Sequence, residues 1–359
     1  MNLFNAETEI DGKKIGLTHP TYFVADVAAN HDGDLTRAKE LIRLAAAAGA
    51  DAAKFQHFTA KTIVSDYGFK NLDDQRSHQA EWDKPVFDVY KDASLNCDWT
   101  ETLRDTCKDA GIAFFTSAYS VELVDKVDEF VPAYKIGSGD ITWHEIMDHI
   151  CTKKKPVLLA SGASTNDEVY AAINRIQKRT KDIVLMQCNT NYTGGLENFK
   201  YIQLNVLSVY KEMFPGIILG LSDHTPGHAT VLGAIALGAK VIEKHFTDDN
   251  NRTGPDHKFA MSPESWADMV ARSRELESAL GNGIKKIEDN EKEAVIIQRR
   301  AVCYKSNLKT GKKLALTDLE YLRPCPLDAL PPFKVIEVLG RELRKDVVEG
   351  EHVKWNDLN

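Results

Sequence analysis

The 359-residue chain has little that would tie it to a membrane, a nucleic acid or an oxidising compartment. No apolar run reaches the ~18–20 residues that a bilayer-spanning helix needs. The first twenty residues carry Glu7, Glu9, Asp11, Lys13 and Lys14 where a secretory signal would have an apolar stretch, so the expected setting is cytoplasmic, with no membrane partner. Positive charge is in deficit. Forty-five Lys and Arg stand against 53 Asp and Glu, a net charge of −8, and no basic block exists to neutralise a phosphate backbone, so nucleic acid is not an expected partner. Any phosphate must therefore be held by a local site. The six cysteines (Cys97, Cys107, Cys151, Cys188, Cys303, Cys325) show no CxxC spacing and sit in a chain too large to need disulfide staples, which predicts reduced thiols. Also missing are a GxxxxGK[ST] loop and a strand-linked GxGxxG, which leaves nucleotide chemistry without support. Internal repeats and low-complexity tracts are absent as well.

What is present is an ordinary globular composition, 43% hydrophobic and 27% charged, in an alternating arrangement. Short apolar runs at Thr21–Ala28, Ala52–Phe55, Ala113–Thr116, Ala133–Ile136, Val157–Ala160, Ile183–Gln187, Ile217–Leu221 and Val241–Glu243 read as strands. Between them, segments such as Leu35–Ala48 and Asn166–Arg179 are apolar at i, i+3, i+4 and i+7 and read as helices. Strands alternating with helices pair in parallel, and eight such units over about 250 residues predict an α/β fold, a (β/α)8 TIM barrel. Nearly every strand ends in polar or glycine-rich residues, as expected where a barrel gathers its chemistry on the C-terminal rim; an open sheet would concentrate them at one switch point. Asp11-Gly12 between β-like flanks predicts an N-terminal hairpin acting as a lid or plug. The helix Pro263–Leu280 meets a stop at Gly281-Asn282-Gly283. These signals predict a barrel domain over 1–283, a charged linker over 284–300 and a small, proline-punctuated, mostly β domain over 301–359.

The polar strand ends carry the candidate chemistry. His224 and His245 end consecutive strands, so two imidazoles could meet at one divalent cation and leave positions open for water and a substrate oxygen; the plainer alternative is two hydrogen-bonded rim histidines. Lys54 and Lys135, with Gly137-Ser138-Gly139 and Ser161-Gly162, supply compact positive charge and close backbone approach, which suits a phosphate on a small substrate. Asp26, Asp140, Asp223, Asp248 and Asp256 are rim carboxylates; Asp26 lies inside an apolar strand and calls for a partner, either Lys54 or Lys135. Asn30-His31-Asp32-Gly33 reads as a turn into a helix capped at Asp34 or Thr36, with a third metal contributor as the alternative.

Taken together, Asn30–Asp34, Lys54-Phe-Gln56, Tyr134–Asp140, Gly220–Thr225, Glu243–Thr247 and Gly254-Pro-Asp256 resemble the sialic acid synthase family, which makes nine-carbon nonulosonic acids (N-acetylneuraminate, legionaminate, pseudaminate) from phosphoenolpyruvate. The tail from Ala301 resembles that family's antifreeze-like (SAF) domain, with Arg323 in Tyr321-Leu-Arg-Pro324. The resemblance implies a divalent metal, Mn²⁺ with Mg²⁺ or Co²⁺ as alternatives, on His224 and His245. It implies phosphoenolpyruvate bound by Lys54, Lys135, Ser138, Ser161, Thr190 and Ser222, and an N-acyl aminosugar bound by Gln56, Asp140, Tyr192, Asp256 and Arg323 of the partner subunit in a domain-swapped homodimer. Catalytic roles fall to Asp26, Lys135 and Asp140. The sequence departs from the family where Asp26 replaces a longer Glu, and where Thr193-Gly194-Gly195 follows Tyr192 in place of a Pro. Trp82–Trp99 is closer to pseudaminate synthases, whereas His245-Phe-Thr247 and Gly254-Pro-Asp256 are closer to the neuraminate and legionaminate branches, which leaves the sugar open. Two other readings stand beside this one: another phosphoenolpyruvate-condensing aldose or aldose-phosphate synthase, and a non-catalytic glycan-binding protein.

Overall fold

A computed structural model of the chain describes residues 3–72, 82, 84–192 and 194–359. Asp11 and Gly12, both left-handed at φ 50° and 76°, turn β1 (Glu7–Ile10) into β2 (Lys13–Gly16). The eight apolar runs follow as β3 (Tyr22–Ala28), β4 (Ala52–His57), β5 (Ala113–Ala118), β6 (Tyr134–Ile136), β7 (Val157–Ala160), β8 (Ile183–Cys188), β9 (Ile218–Asp223) and β10 (Ala239–His245). They pair in parallel in chain order, and β10 returns to β3 to close the barrel. Nearly all their residues are buried, because side chains fill the interior while helices cover the outside.

The helices follow from local signals. Leu35–Ala47 buries Ala38, Leu41, Ile42 and Ala45, one face of a 3.6-residue period. It begins at Asp34, whose carboxylate accepts the Thr36 and Arg37 N–H groups at 2.7 and 3.2 Å, so Asp34 and not Thr36 is the cap. Pro263–Leu280 stops at Gly281, at φ 60°. The hairpin is a plug at the base of the barrel: Lys13 pairs with Asp51 just before β4, Asn5 N–H donates to the Lys181 carbonyl just before β8, and Ile10 and Ile15 are fully buried. Among the described residues no helix is long and apolar enough to cross a membrane, and all six cysteines are free.

The chain divides into two compact units, the barrel through Gly281 and a second unit from Asn282 to Asn359. In the second, β11 (Ala301–Tyr304) pairs antiparallel with β12 (Leu319–Leu322) over a small core that includes Val302, Tyr304, Leu314, Val338, Leu343 and Val353.

Candidate active site

Strand register assembles the site. His245 on β10 lies opposite Asp26 on β3, which lies opposite Lys54 on β4; Glu243 lies opposite Ser222 on β9. Because side chains alternate along a strand, Ser222, His224, Glu243 and His245 share the inward face, while Asp223 and Lys244 turn outward. The contacts agree. Lys54 Nζ donates to Asp26 at 2.6 Å and lies 3.9 Å from Glu243; Lys135 Nζ lies 3.1 Å from Glu243, which also accepts Ser222 Oγ–H at 3.0 Å. Of the two partners considered for Asp26, the structure uses Lys54. On the outer face Lys244 Nζ donates to Asp223 and to the Thr225 carbonyl, both at 2.5 Å, and the Thr225 and Thr230 hydroxyls donate to Asp223 at 2.7 Å. Asp223 therefore serves a buried clasp between β9 and β10, away from the mouth.

Protonation follows from this arrangement. Burial pushes Glu243 upward, but Lys135 and Lys54 overcome it and hold the carboxyl at about 2. Burial favours the neutral amine of Lys54, yet Asp26 and Glu243 hold its pKa above the ordinary value. Burial lowers His224 and His245 to about 3, so both imidazoles are neutral. Burial, and then the Asp26 charge, raise Asp256 to about 7; burial raises Asp140 to about 6, with Lys135 opposing.

The two imidazole centroids lie 5.4 Å apart. His224 Nδ1 lies 3.0 Å from the Asn189 carbonyl, which leaves its Nε2 lone pair free to ligate, and His245 Nδ1 is buried with no hydrogen-bond partner among the described residues. Phe259 packs 4.8 Å from the His245 ring and Tyr192 4.3 Å from the His224 ring. No cluster of three or more His, Cys, Asp or Glu side chains with ligand spacing occurs among the described residues. Beside the lysines, Ser138 Oγ and Thr190 Oγ1 are 2.9 Å apart. A Cβ on Gly162 would fall 2.0 Å from Thr190 Oγ1, so the loop after β7 can approach this hydroxyl pair only as glycine. A cavity of about 320 Å³ opens over the mouth, lined by Gln56, Ser138, Asp140, Thr190, Tyr192, His245 and Asp256 among others.

One of the residues expected in the site has its hydroxyl engaged elsewhere. Both the N–H and the hydroxyl of Ser161 donate to the Met186 carbonyl at 3.0 Å, and Tyr210 donates to its Oγ, so the hydroxyl is spent on the β7–β8 junction. Arg323 is exposed in the second unit, just past β12. Asp248 pairs with Arg37, and Asn30–Gly33 forms a turn in which Gly33 N–H donates to His31 Nδ1 at 3.0 Å. Thr193 lies outside the described residues, as does residue 83 of the Trp82–Trp99 stretch. The sequence reading did not single out Glu243, although counting back by two from His245 puts it inside; Ser117, legible as a polar strand end, was given no role, yet its buried Oγ lacks a partner among the described residues and it pairs in register with Gln56. Phe259, Phe58 and Tyr119 carry no sequence signal for this site.

A closed parallel barrel with balanced buried charges, paired imidazoles and a cavity at the C-terminal ends of its strands defines the class of (β/α)8 proteins with a rim site. The NeuB family model matches residues 41–285, and the chain belongs to that family. It is 32% identical over 338 residues to the N,N'-diacetyllegionaminic acid synthase of Campylobacter jejuni, covering 93% of this chain and 99% of that one. An uncharacterised protein of Methanocaldococcus jannaschii is 31% identical over 352 residues, 98% of each chain. The crystal structure of the spore coat polysaccharide biosynthesis protein SpsE of Bacillus subtilis superposes with a TM-score of 0.65 at 26% identity, covering 99% of both chains.

Proposed function

We propose that the protein condenses phosphoenolpyruvate with the open-chain aldehyde of an N-acyl aminosugar and with water, releasing a nine-carbon nonulosonic acid and inorganic phosphate. The observation that carries this reading is the pair of buried lysines, Lys54 and Lys135, beside the Ser138–Thr190 hydroxyl pair at the barrel mouth, next to two neutral imidazoles. Family membership supports the same reaction class.

The donor set fits a divalent cation. Both imidazoles are uncharged, and one buried ring nitrogen has no partner among the described residues. The charge balance points the same way: Asp26 and Glu243 already offset Lys54 and Lys135, so a substrate carrying a carboxylate and a phosphate needs further positive charge. His224 and His245 would hold the cation, Mn²⁺ or alternatively Mg²⁺ or Co²⁺, which would act as a Lewis acid toward the sugar aldehyde.

The chain's own residues do the rest. Lys54, Lys135 and Ser222 bind the anionic groups of phosphoenolpyruvate, and the hydroxyls of Ser138 and Thr190 donate to its phosphate. Tyr192, Gln56 and Asp140 orient the sugar so that its aldehyde carbon meets the enol C3. As that C–C bond forms, Asp256, about half protonated near neutral pH, gives a proton to the aldehyde oxygen. Positive charge then develops at C2; the Asp26 carboxylate faces it and orients the water that adds there. Breaking the C2–O bond expels phosphate as the C2 hydroxyl becomes a carbonyl; of the two protons of the added water, one leaves with phosphate and the other returns to Asp256. A homodimer is part of the proposal and is read by light scattering. The test is phosphate release from phosphoenolpyruvate with Mn²⁺ across a panel of N-acyl aminosugars. Release with at least one acceptor, abolished by chelation and restored by metal, is expected; no release with any acceptor overturns the reading.

A further inference from the structure

Asp256, the proposed acid, stands on a stretch of chain without regular secondary structure. Between β10 and the helix Pro263–Leu280, residues 247–260 form neither helix nor strand, and 251–254 are exposed. Such a stretch takes its shape from side-chain bonds rather than from a backbone ladder. The chemistry above nevertheless needs the Asp256 carboxyl at a fixed place.

The bonds that fix it run through the next residue. Asp256 lines the cavity and accepts the Ala29 N–H at 3.3 Å, whereas the His257 ring is fully buried. A carboxylate can only accept, so His257 Nε2–H donates to Asp32 Oδ1, at 2.9 Å; Nδ1 lies 2.7 Å from the Thr247 hydroxyl oxygen. Both ring nitrogens are thus engaged, one by the turn after β3 and the other by the residue two past the end of β10. The outer end is braced in turn: Arg252 Nε donates to Asp32 at 2.8 Å, Arg37 Nε lies 3.2 Å from the same carboxylate, and Arg37 also donates to the Asn30 carbonyl at 2.7 Å. Asn250 Nδ2 donates to the His257 carbonyl at 2.7 Å, so ring and backbone are both held. Space is as tight as the bonding. A Cβ on Gly254 would fall 2.7 Å from His257 Cδ2, and a ring tied at both nitrogens cannot swing away. Ala29 and Asp32 sit on one turn, closed by the Asp32 N–H donating to the Ala29 carbonyl at 3.1 Å. That turn grips two successive residues of the loop, Asp256 by a backbone N–H and His257 by a carboxylate.

We propose that His257 is a positioning residue for the condensation: tied between Asp32 and Thr247, its ring sets where the Asp256 carboxyl stands in the mouth. The inference rests on the condensation reading and gives the turn Asn30–Gly33 a part in it, through the loop rather than through contact with substrate. A carboxyl that must hand a proton to an oxygen tolerates little misplacement, since about 1 Å can cost about 10²-fold in rate. Loosening His257 lets Asp256 stray and leaves Lys54 and Lys135, on β4 and β6, where they are.

The experiment is a cycle of variants in the phosphate-release assay with one accepted sugar. His257→Ala should lower kcat about 10- to 100-fold and keep the KM for phosphoenolpyruvate within about twofold. His257→Gln, whose amide N–H reaches toward Asp32 much as Nε2–H does, should recover most of that loss. On an Asp256→Asn background, His257→Ala should cost no more than about a further twofold, because a residue that acts through Asp256 has nothing left to place. Asp32→Ala removes the acceptor at the outer end without opening a cavity in the core; it should repeat the His257→Ala pattern, and it carries the comparison if that variant does not fold. Full kcat in these variants, a rise in the phosphoenolpyruvate KM that matches the fall in kcat, or losses that multiply with Asp256→Asn would each overturn the positioning role while leaving the condensation standing. Full kcat in Asp256→Asn removes the acid and the positioning role together. No phosphate release by the natural protein with any acceptor overturns the condensation itself.

Discussion

Replacing Glu243 by Gln keeps the shape of the side chain and removes its charge, so it isolates what this carboxylate does between Lys54 and Lys135. The two ammonium groups, at 3.9 and 3.1 Å, depress its pKa from an ordinary 4.5 to about 2 against the opposing effect of burial. A carboxyl depressed in the folded state stabilises above its unfolded pKa, and that stability disappears as pH falls through the folded value. The window for Glu243 therefore runs from about 4.5 down to about 2. At ~1.4 kcal/mol per unit the shift is worth about 3 kcal/mol at pH 7, the same order as breaking a buried ion pair. For a barrel of this size that corresponds to roughly 6–12 °C in Tm. Melting of Glu243→Gln followed by circular dichroism should show that drop at pH 7, with the gap to the natural protein closing as pH is lowered from 5 toward 2. A second readout has the opposite sign: with two ammonium groups facing only Asp26, phosphoenolpyruvate should bind more tightly in calorimetry without acceptor. An unchanged Tm at pH 7, a gap independent of pH, or weaker binding would each refute the charge balance described above.

Other consequences are as direct. His224→Ala and His245→Ala should each lose metal-dependent turnover while melting within a few degrees of the natural protein; full activity at low added Mn²⁺ would remove both from the metal site. Asp256→Asn should lower kcat about 10²-fold and erase the fall in rate as pH rises through about 7, since only the protonated acid can donate; a retained alkaline limb would assign the titration to another group. Lys244→Met strands a buried Asp223 carboxylate and should cost ~3–5 kcal/mol in denaturant unfolding, much of it recovered by adding Asp223→Asn; no recovery would mean that the clasp is not the source. Gly162→Ala should raise the KM for phosphoenolpyruvate by at least tenfold, because its Cβ would displace the Thr190 hydroxyl; an unaffected KM would exclude Thr190 from the anion site.

The barrel could be read because each strand is a short apolar run closed by polar residues, and the helices carry a separate periodicity. Val241–Glu243 was too short a reading of β10, which runs from Ala239 to His245: Lys244 looks like a terminator in sequence but is buried on the outer face by Asp223. The same ambiguity hid Glu243. A strand buried on both faces shows no apolar-in, polar-out alternation, so which of Ser222, Asp223, Glu243 and Lys244 faces the mouth emerges only once register is known. His224 and His245 were legible because two strands ended alike. Ser161 was misplaced because a serine at a strand end looks the same whether its hydroxyl faces a ligand or a neighbouring carbonyl. The packing of Phe58 against Tyr90 and Tyr119 was invisible for a different reason: the three come from separate stretches of chain and meet only in space.

The hairpin at the base also bears on how the protein can be handled. Asn5, Lys13 and the Lys240 contact to the His19 carbonyl all lie where the strands begin, at the opposite end of the barrel from the cavity. An affinity handle, a fluorescent partner or a surface linker joined at the amino terminus therefore leaves the barrel from the face turned away from the mouth. Immobilised by that end, the barrel would have its mouth turned away from the support, a practical geometry for a flow reactor feeding one acceptor sugar after another across the same protein.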